Sequence, residues 1–532
     1  MSFAVLVFVL LTALPSQALD FPDEQMPIPN PPARAGGYTG LYLDDTTNFT
    51  GFSSHLIGKQ VVGQKEVESW ECSSLEDDRC LKANKFVLNT YLNPCENSQD
   101  QNCLVSLSAI KSDGSEVSGV LIRKYPERFE KEFTGSKSEN IPSSGSPSLW
   151  RFEAAPHSGG SEYLATPNFY GNDLVRGTLN NVAVSGGIYP VSLFKGNYSV
   201  PKVGTGKANA DGYTSGAEET TPECAMRDGS SCAKIYTFPE NVRFKMKLRL
   251  SLKVNGFLYG RLQDPLIQFE IGENISQLTI EANPVKVPVF GIWAKNSELP
   301  KELNTLLDAG RMGGRFYYSD GTGTREGTAL LRDGRSTGYT RYSINEFTMW
   351  LPVAQDKSIA TKTNWGFKTL LNIPSDLARC MNSTKGLSGI VTTNATMYEA
   401  TPPTFNSVTK TLDYQVASPH FDRNGLINYG NYSLTLKDTF ARCIYGFSSA
   451  PIQASLSIVS LDGTSQVASV AVTQKNNWLF MKANNFTYSA PVLRVKLTQS
   501  KNQTYSINCV KGSKTKKVTG TSPKCPSGFR SK

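Results

Sequence analysis

Three histidines are the residues of this chain best suited to general-base chemistry: His55 in GFSSHLIG, His157 in AAPHSGG and His420 in SPHFDRNG, each beside serine and the last near Asp422. A serine hydrolase needs such a base within reach of a nucleophile, with a third group orienting the ring. Local sequence does not encode that geometry, and the motifs that announce it are missing: there is no G-x-S-x-G, H-E-x-x-H, Walker or dinucleotide-binding sequence. Each histidine is therefore expected in a loop or at a strand end, and no catalytic residue is assigned.

Adjacent carboxylates occur at Asp44 and Asp45, Asp77 and Asp78, and Glu218 and Glu219. A glycosidase holds two carboxylates about 5 to 10 Å apart, usually on different strands, so adjacency in sequence is no sign of one. The loop NADGYTSGAEE (209–219) could wrap Ca²⁺, but it lacks the alternating oxygen ligands and closing glutamate of an EF-hand loop. No other cofactor or metal is expected.

Residues 311–342 combine six arginines with four tyrosines, among them Arg311, Arg315, Tyr317, Tyr318, Arg325, Arg335, Tyr339 and Tyr342. On hairpin loops these residue types bind glycans or acidic groups by stacking and forked hydrogen bonds. They are also what any exposed hairpin carries, and the second reading weighs more, since strand aromatics most often serve cross-strand packing.

Two stretches are candidates for gripping a polyanion. In VRFKMKLRLSLKV (242–254) the even positions are apolar, while Arg243, Lys245, Lys247, Arg249 and Lys253 stand on the other face. Asp264, Glu270, Glu273 and Glu281 follow in the next strands, with Glu270 and Glu281 at outward positions. Cross-strand pairing of these charges is the preferred reading, and a basic row also guards a strand against edge-to-edge aggregation. The second stretch is the tail. Residues 501–532 carry eight lysines and arginines, Lys511, Lys514, Lys516 and Lys517 among them, and no Asp or Glu; the chain total of +9 less this +8 leaves +1 for everything else. Such a tail could hold the protein to an anionic envelope polymer or phospholipid surface in a salt-dependent way. It could equally be a solubilising end. Nucleic acid ranks below both, because the tail offers just Tyr505 and Phe529 for stacking.

The elements that must position these residues read as β throughout. Short alternating runs such as VSLSAI are broken by Gly, Ser, Asn and Asp clusters. The apolar run Phe3–Leu14 followed by Ser16-Gln17-Ala18 predicts an export signal over 1–18, then a Pro-rich linker over 19–36. A loop-rich β region is expected over 37–235, a β domain with one helix (297–309) over 236–375, with strands resuming over 311–353 and hairpin turns at Asp320-Gly321 and Asp333-Gly334. A β-sandwich module is expected over 376–500, with a strand at 443–447, and a clipped basic tail over 501–532. The fold class is thus all-β (mainly β) and multidomain, with a C-terminal β-sandwich-like module and few short helices. No later segment is apolar and long enough to span a bilayer as a helix.

Ten cysteines in an exported chain are read first as disulfides. Cys72 and Cys80, Cys95 and Cys103, and Cys224 and Cys232 are each separated by seven polar loop residues; nearest-neighbour pairing then joins Cys380 to Cys443 and Cys509 to Cys525. In the tail, Tyr505–Val510 and Lys514–Thr519 alternate like two short strands about Gly512, and so small a unit needs its clip to stay ordered.

The stretches TTNATMYEATPP, ARCIYGFSSAPIQASLSIVS, FTYSAPVLRVKLTQ and INCVKGSKTKKVTGTSPKCPSGFRSK, with LYGRLQDP and IEANPVKVPV upstream, resemble the C-terminal module and basic tail of a group of uncharacterised secreted proteins of actinobacteria, notably freshwater lineages. The resemblance implies export, a secreted or cell-surface location and a modular β architecture; it implies no reaction. The expectation is a secreted or surface-attached binding or structural protein, its partner an envelope polyanion or a glycan. The competing expectation is a secreted polysaccharide-active hydrolase, which a cleft with two converging carboxylates near the Arg and Tyr hairpins would favour.

Overall fold

The computed structural model describes residues 36–531 except 45–51, 180–181, 210–213, 218–223, 252–255, 273–274, 309–314, 323, 335–336, 339–340, 371–374, 385, 400, 449–451, 460–464, 468–469, 489–491, 500–504 and 521–523. The expected signal and most of the Pro-rich linker lie outside the described residues. What is described is mainly β, with four short α-helices among the described elements.

The strand Arg243–Leu250 shows why the chain folds in layers. Its residues alternate strictly between half-buried and buried, and Phe244, Met246, Leu248 and Leu250 are at most 1% exposed. One apolar stripe of this kind must be covered. It lies in a five-stranded sheet with Cys103–Ile110 on one side and Ser276–Asn283 on the other, and it packs against Trp365 and Phe367 of a much larger sheet. The Trp365 indole donates to the carbonyl of Ala282 at 3.1 Å, tying the two sheets at one point.

The large sheet is covered on its other face too. Gly256–Arg261 and Leu387–Thr393, paired in parallel, are buried at every position. Leu258 and Ile390 join the first core, whereas Phe257, Tyr259 and Val391 join a second. Burial on both faces is what a parallel pair without alternating polarity requires. The second core is closed by a sheet containing Thr411–Ala417, Ile452–Val459 and Val492–Gln499. Arg261 is fully buried at this junction, its guanidinium held by the carbonyls of Thr393, Ala395 and Thr396 and stacked 4.2 Å above the Tyr398 ring.

Strand ladders cross the domain boundaries expected at 235/236 and 375/376. Cys103–Ile110 pairs with Arg243–Leu250, and Gly256–Arg261 with Leu387–Thr393. The C-terminal sandwich is real as a pair of facing sheets, but its shared layer comes partly from upstream. Such long-range registers are invisible to local alternation, which reports a strand's faces and not its neighbours.

Helix Lys301–Asp308 falls where expected, with Leu303 and Leu307 buried. Two segments read as strands are helical instead. Arg341–Trp350 is an α-helix that buries Ile344, Phe347 and Trp350 on one side. Asp438–Tyr445 replaces the strand expected at 443–447; its Arg442 reaches back to Asp438 at 2.6 Å, and Gly446 stops it with a left-handed φ of 65°. The hairpin turn expected at Asp333-Gly334 is also absent, since Thr328–Gly334 runs parallel to Tyr38–Leu43 and Thr337–Gly338 leaves for a different sheet.

All five disulfides join the cysteines in the nearest-neighbour pattern: Cys72–Cys80, Cys95–Cys103, Cys224–Cys232, Cys380–Cys443 and Cys509–Cys525. The fourth pins helix Ser375–Ser383 to helix Asp438–Tyr445. The fifth clips a separate three-stranded sheet made of Tyr505–Lys511, Lys514–Gly520 and Arg530–Ser531.

Candidate functional site

Three members of the basic row at 243–249, Arg243, Lys245 and Arg249, are engaged by neighbouring groups. Glu281 meets Arg243 Nε at 3.1 Å and Lys245 Nζ at 3.4 Å, and Lys245 also reaches Glu116 at 2.6 Å. Arg249 donates to the carbonyls of Asn97 and Asp100. The strand is central to its sheet, so its charges guard no edge. Lys253 lies outside the described residues.

Among the arginines and tyrosines of 311–342, the side chains described are those of Arg325 and Arg332. Arg311, Arg335 and Tyr339 lie outside the described residues; Arg315, Tyr317 and Tyr318 are placed in the strand Arg315–Ser319, and Tyr342 in the helix Arg341–Trp350. Arg325 is 7% exposed and structural. Its guanidinium meets Asp308 at 2.8 Å and Asn296 Oδ1 at 3.2 Å, linking helix, loop and strand. Arg332 is paired with Glu346.

Each histidine has a defined partner, and that of His55 is the Ser53 hydroxyl, 3.4 Å from Nδ1. His55 is buried at 5% exposure, and burial lowers its pKa to about 4, so it stays neutral. His157 spends Nε2 on the carbonyl of Glu162 and Nδ1 on the amide of Gly159. The partner of His420 is Asp356, whose carboxylate takes its Nδ1 at 2.5 Å and its backbone amide at 3.0 Å. The sequence neighbour Asp422 instead caps a turn by accepting the amides of Asn424 and Leu426.

Among the carboxylate pairs, Asp44 is buried against Lys362, with Nζ at 2.5 Å. Asp77 sits in the first disulfide loop, where hydrogen bonding from Arg79 holds its carboxyl well below the usual range. Glu218, Glu219 and much of the loop considered for Ca²⁺ lie outside the described residues. Among the described residues no group of three His, Cys, Asp or Glu is placed to hold a metal ion.

Two arrangements among the described residues present groups suited to binding. The first is the tail. Lys511 lies opposite Lys514, Lys516 opposite Cys509, and Lys517 opposite Asn508. Strand alternation therefore sets Lys511, Lys514 and Lys516 on the face of the disulfide and Lys517 on the reverse. All four are exposed, whereas Cys509 is fully buried beneath its bridge. No ladder joins this unit to another sheet among the described residues.

The second was not anticipated. A cleft of about 440 Å³ is floored by Glu399, Thr404, Asn406, Asp413, Gln415 and Arg494 and flanked by Asn345 of the helix Arg341–Trp350. Thr404, Asp413 and Arg494 are register partners across three strands. Arg494 Nε stands 3.5 Å from Asp413 Oδ2, and Asp413 accepts from Thr411; Glu399 takes the backbone amide of Gln415 at 3.3 Å. Alternation in TLDYQVA does place Asp413 and Gln415 on one face, but the pairing with Arg494 and Glu399 depends on long-range register. The end of the 311–342 segment approaches this site through Thr337–Gly338, paired with Tyr398–Glu399. Neither a family model nor a curated protein matches the chain.

Proposed function

We propose that the chain is a secreted or cell-surface binding protein retained on an anionic envelope polymer through its basic tail. One observation carries this reading: a disulfide-clipped sheet exposes Lys511, Lys514, Lys516 and Lys517 with no acidic residue anywhere in 501–532. Glu281 and Glu116 pair with Arg243 and Lys245 of the other basic row, whereas residues 501–532 supply no acid of their own. Five disulfides suit an oxidising, non-cytoplasmic compartment, and no described helix is long and apolar enough to cross a membrane. Envelope retention of the full chain, compared with a chain ending at Gln499 at low and high salt, tests the proposal. Equal retention of the two chains would refute it.

A polysaccharide-active hydrolase is the second reading, favoured by the presence of Glu399 and Asp413 in one cleft. Its general acid and base would be these two carboxylates. Release of reducing ends from soluble polysaccharides, abolished by Glu399→Gln, would support it.

A further inference from the structure

We infer that the open edge of the strand Gln263–Ile271 takes up an extended peptide as an added strand, one that lays an apolar side chain into the adjoining groove and carries an acidic residue beside it. Gln263–Ile271 ends its five-stranded sheet: among the described residues it ladders with Ser276–Asn283 alone, so its other edge meets no strand. Its side chains divide as strand alternation requires. Ile267 is buried in the first core and Phe269 packs against it, whereas Leu266, Gln268 and Glu270 are exposed. The large sheet beneath extends through Trp478–Thr487 and Val470–Lys475, where Phe480 is half-buried and Thr473 and Lys475 are exposed.

Strand and ledge enclose a groove of about 200 Å³, lined by Leu266 on the strand side and by Thr473, Lys475, Phe480 and Lys482 on the large sheet. Each of these side chains is at least partly exposed, so the groove is open to an incoming group. An open edge offers a row of main-chain donors and acceptors that another extended chain matches residue for residue, and a side-chain groove alongside supplies selectivity. Leu266 and Phe480 make that groove apolar. The charge around it favours an acid: Asp264 is met by Lys482 at 3.3 Å, and Lys475 adds a further cation to the lining. Glu270 stands toward the far end of the strand, so the acid belongs at one end of the peptide and not at both. The site uses none of the tail lysines, and a chain ending at Gln499 retains all of it.

The test is fluorescence anisotropy of a labelled, end-blocked peptide EVTFTVT, which sets Val, Phe and Val on one face, titrated with the full chain. Saturable binding below about 1 mM is expected. Two analogues are N-methylated, one at the second, fourth and sixth amides and the other at the third, fifth and seventh. Alternate amides of a strand point to one edge, so one analogue should bind about tenfold or more weakly and the other like the parent peptide. Leu266→Asp, at an exposed position with little risk to folding, should also weaken binding about tenfold or more. The peptide QVTFTVT should bind about two- to fivefold more weakly than EVTFTVT, and Lys475→Gln should erase that difference. The inference is overturned if EVTFTVT shows no saturable binding below about 1 mM, if the two N-methylated analogues bind equally, or if Leu266→Asp binds like the parent chain. A dimer of the free chain that Leu266→Asp dissolves would make a second copy the occupant and would overturn it too.

Discussion

The strand Arg243–Leu250 and the tail hairpin Tyr505–Gly520 both set several basic residues on paired strands. In the first, Glu281, Glu116 and the carbonyls of Asn97 and Asp100 engage Arg243, Lys245 and Arg249, and these three become part of the fold. In the second, Lys511 and Lys514 lie opposite each other, Lys516 and Lys517 stand opposite Cys509 and Asn508, and residues 501–532 contain no acid. A pattern of charge thus acquires its role from the strands beside it. Where the fold answers a cation, removing it should cost stability; where the fold leaves it unanswered, removing it should cost binding.

The largest effect on the body is expected at Lys362. This lysine and Asp44 are 4% and 7% exposed, so Lys362→Met takes the paired cation from a buried carboxylate and should destabilise the protein by about 3 to 5 kcal/mol in chemical denaturation. An acid titration of stability should show the contribution of His55. Its folded pKa of about 4 lies below the unfolded value of 6.5, so its contribution is complete above pH 6.5 and falls away as the pH drops toward 4. The loss is about 3 kcal/mol, and His55→Asn should flatten that part of the profile. Smaller still, Glu281→Gln leaves Arg243 and Lys245 half-buried and underpaired, for a cost of about 1 kcal/mol measured by melting. Alanine at Lys511, Lys514, Lys516 and Lys517 should move the melting temperature of the body by no measurable amount.

Much of this contrast was legible in the sequence. Seven-residue spacings identified the local disulfides, Gly512 between two alternating runs identified the tail hairpin, and alternation separated the apolar and basic faces of 242–254. The helices Arg341–Trp350 and Asp438–Tyr445 were missed because Tyr, Thr, Phe and Ile favour strands locally; tertiary burial of Phe347, Trp350 and Phe440 overrides that preference. The cleft was missed for a different reason. Asp413 and Arg494 are brought together by the register of Thr411–Ala417 against Val492–Gln499, and no local feature of either strand reveals it. The partners of Arg325, Asp308 and Asn296, come from a helix and a turn distant in sequence that close over it, and local sequence does not reveal them.

The most direct measurement is retention on a dextran sulfate column as a function of salt, for the full chain, for Lys511→Ala/Lys514→Ala/Lys516→Ala/Lys517→Ala, and for Lys245→Met in the paired strand. The tail variant is expected to elute at much lower salt with its melting temperature intact, while Lys245→Met elutes with the parent. Elution of the tail variant with the parent, or early elution of Lys245→Met alone, would contradict it.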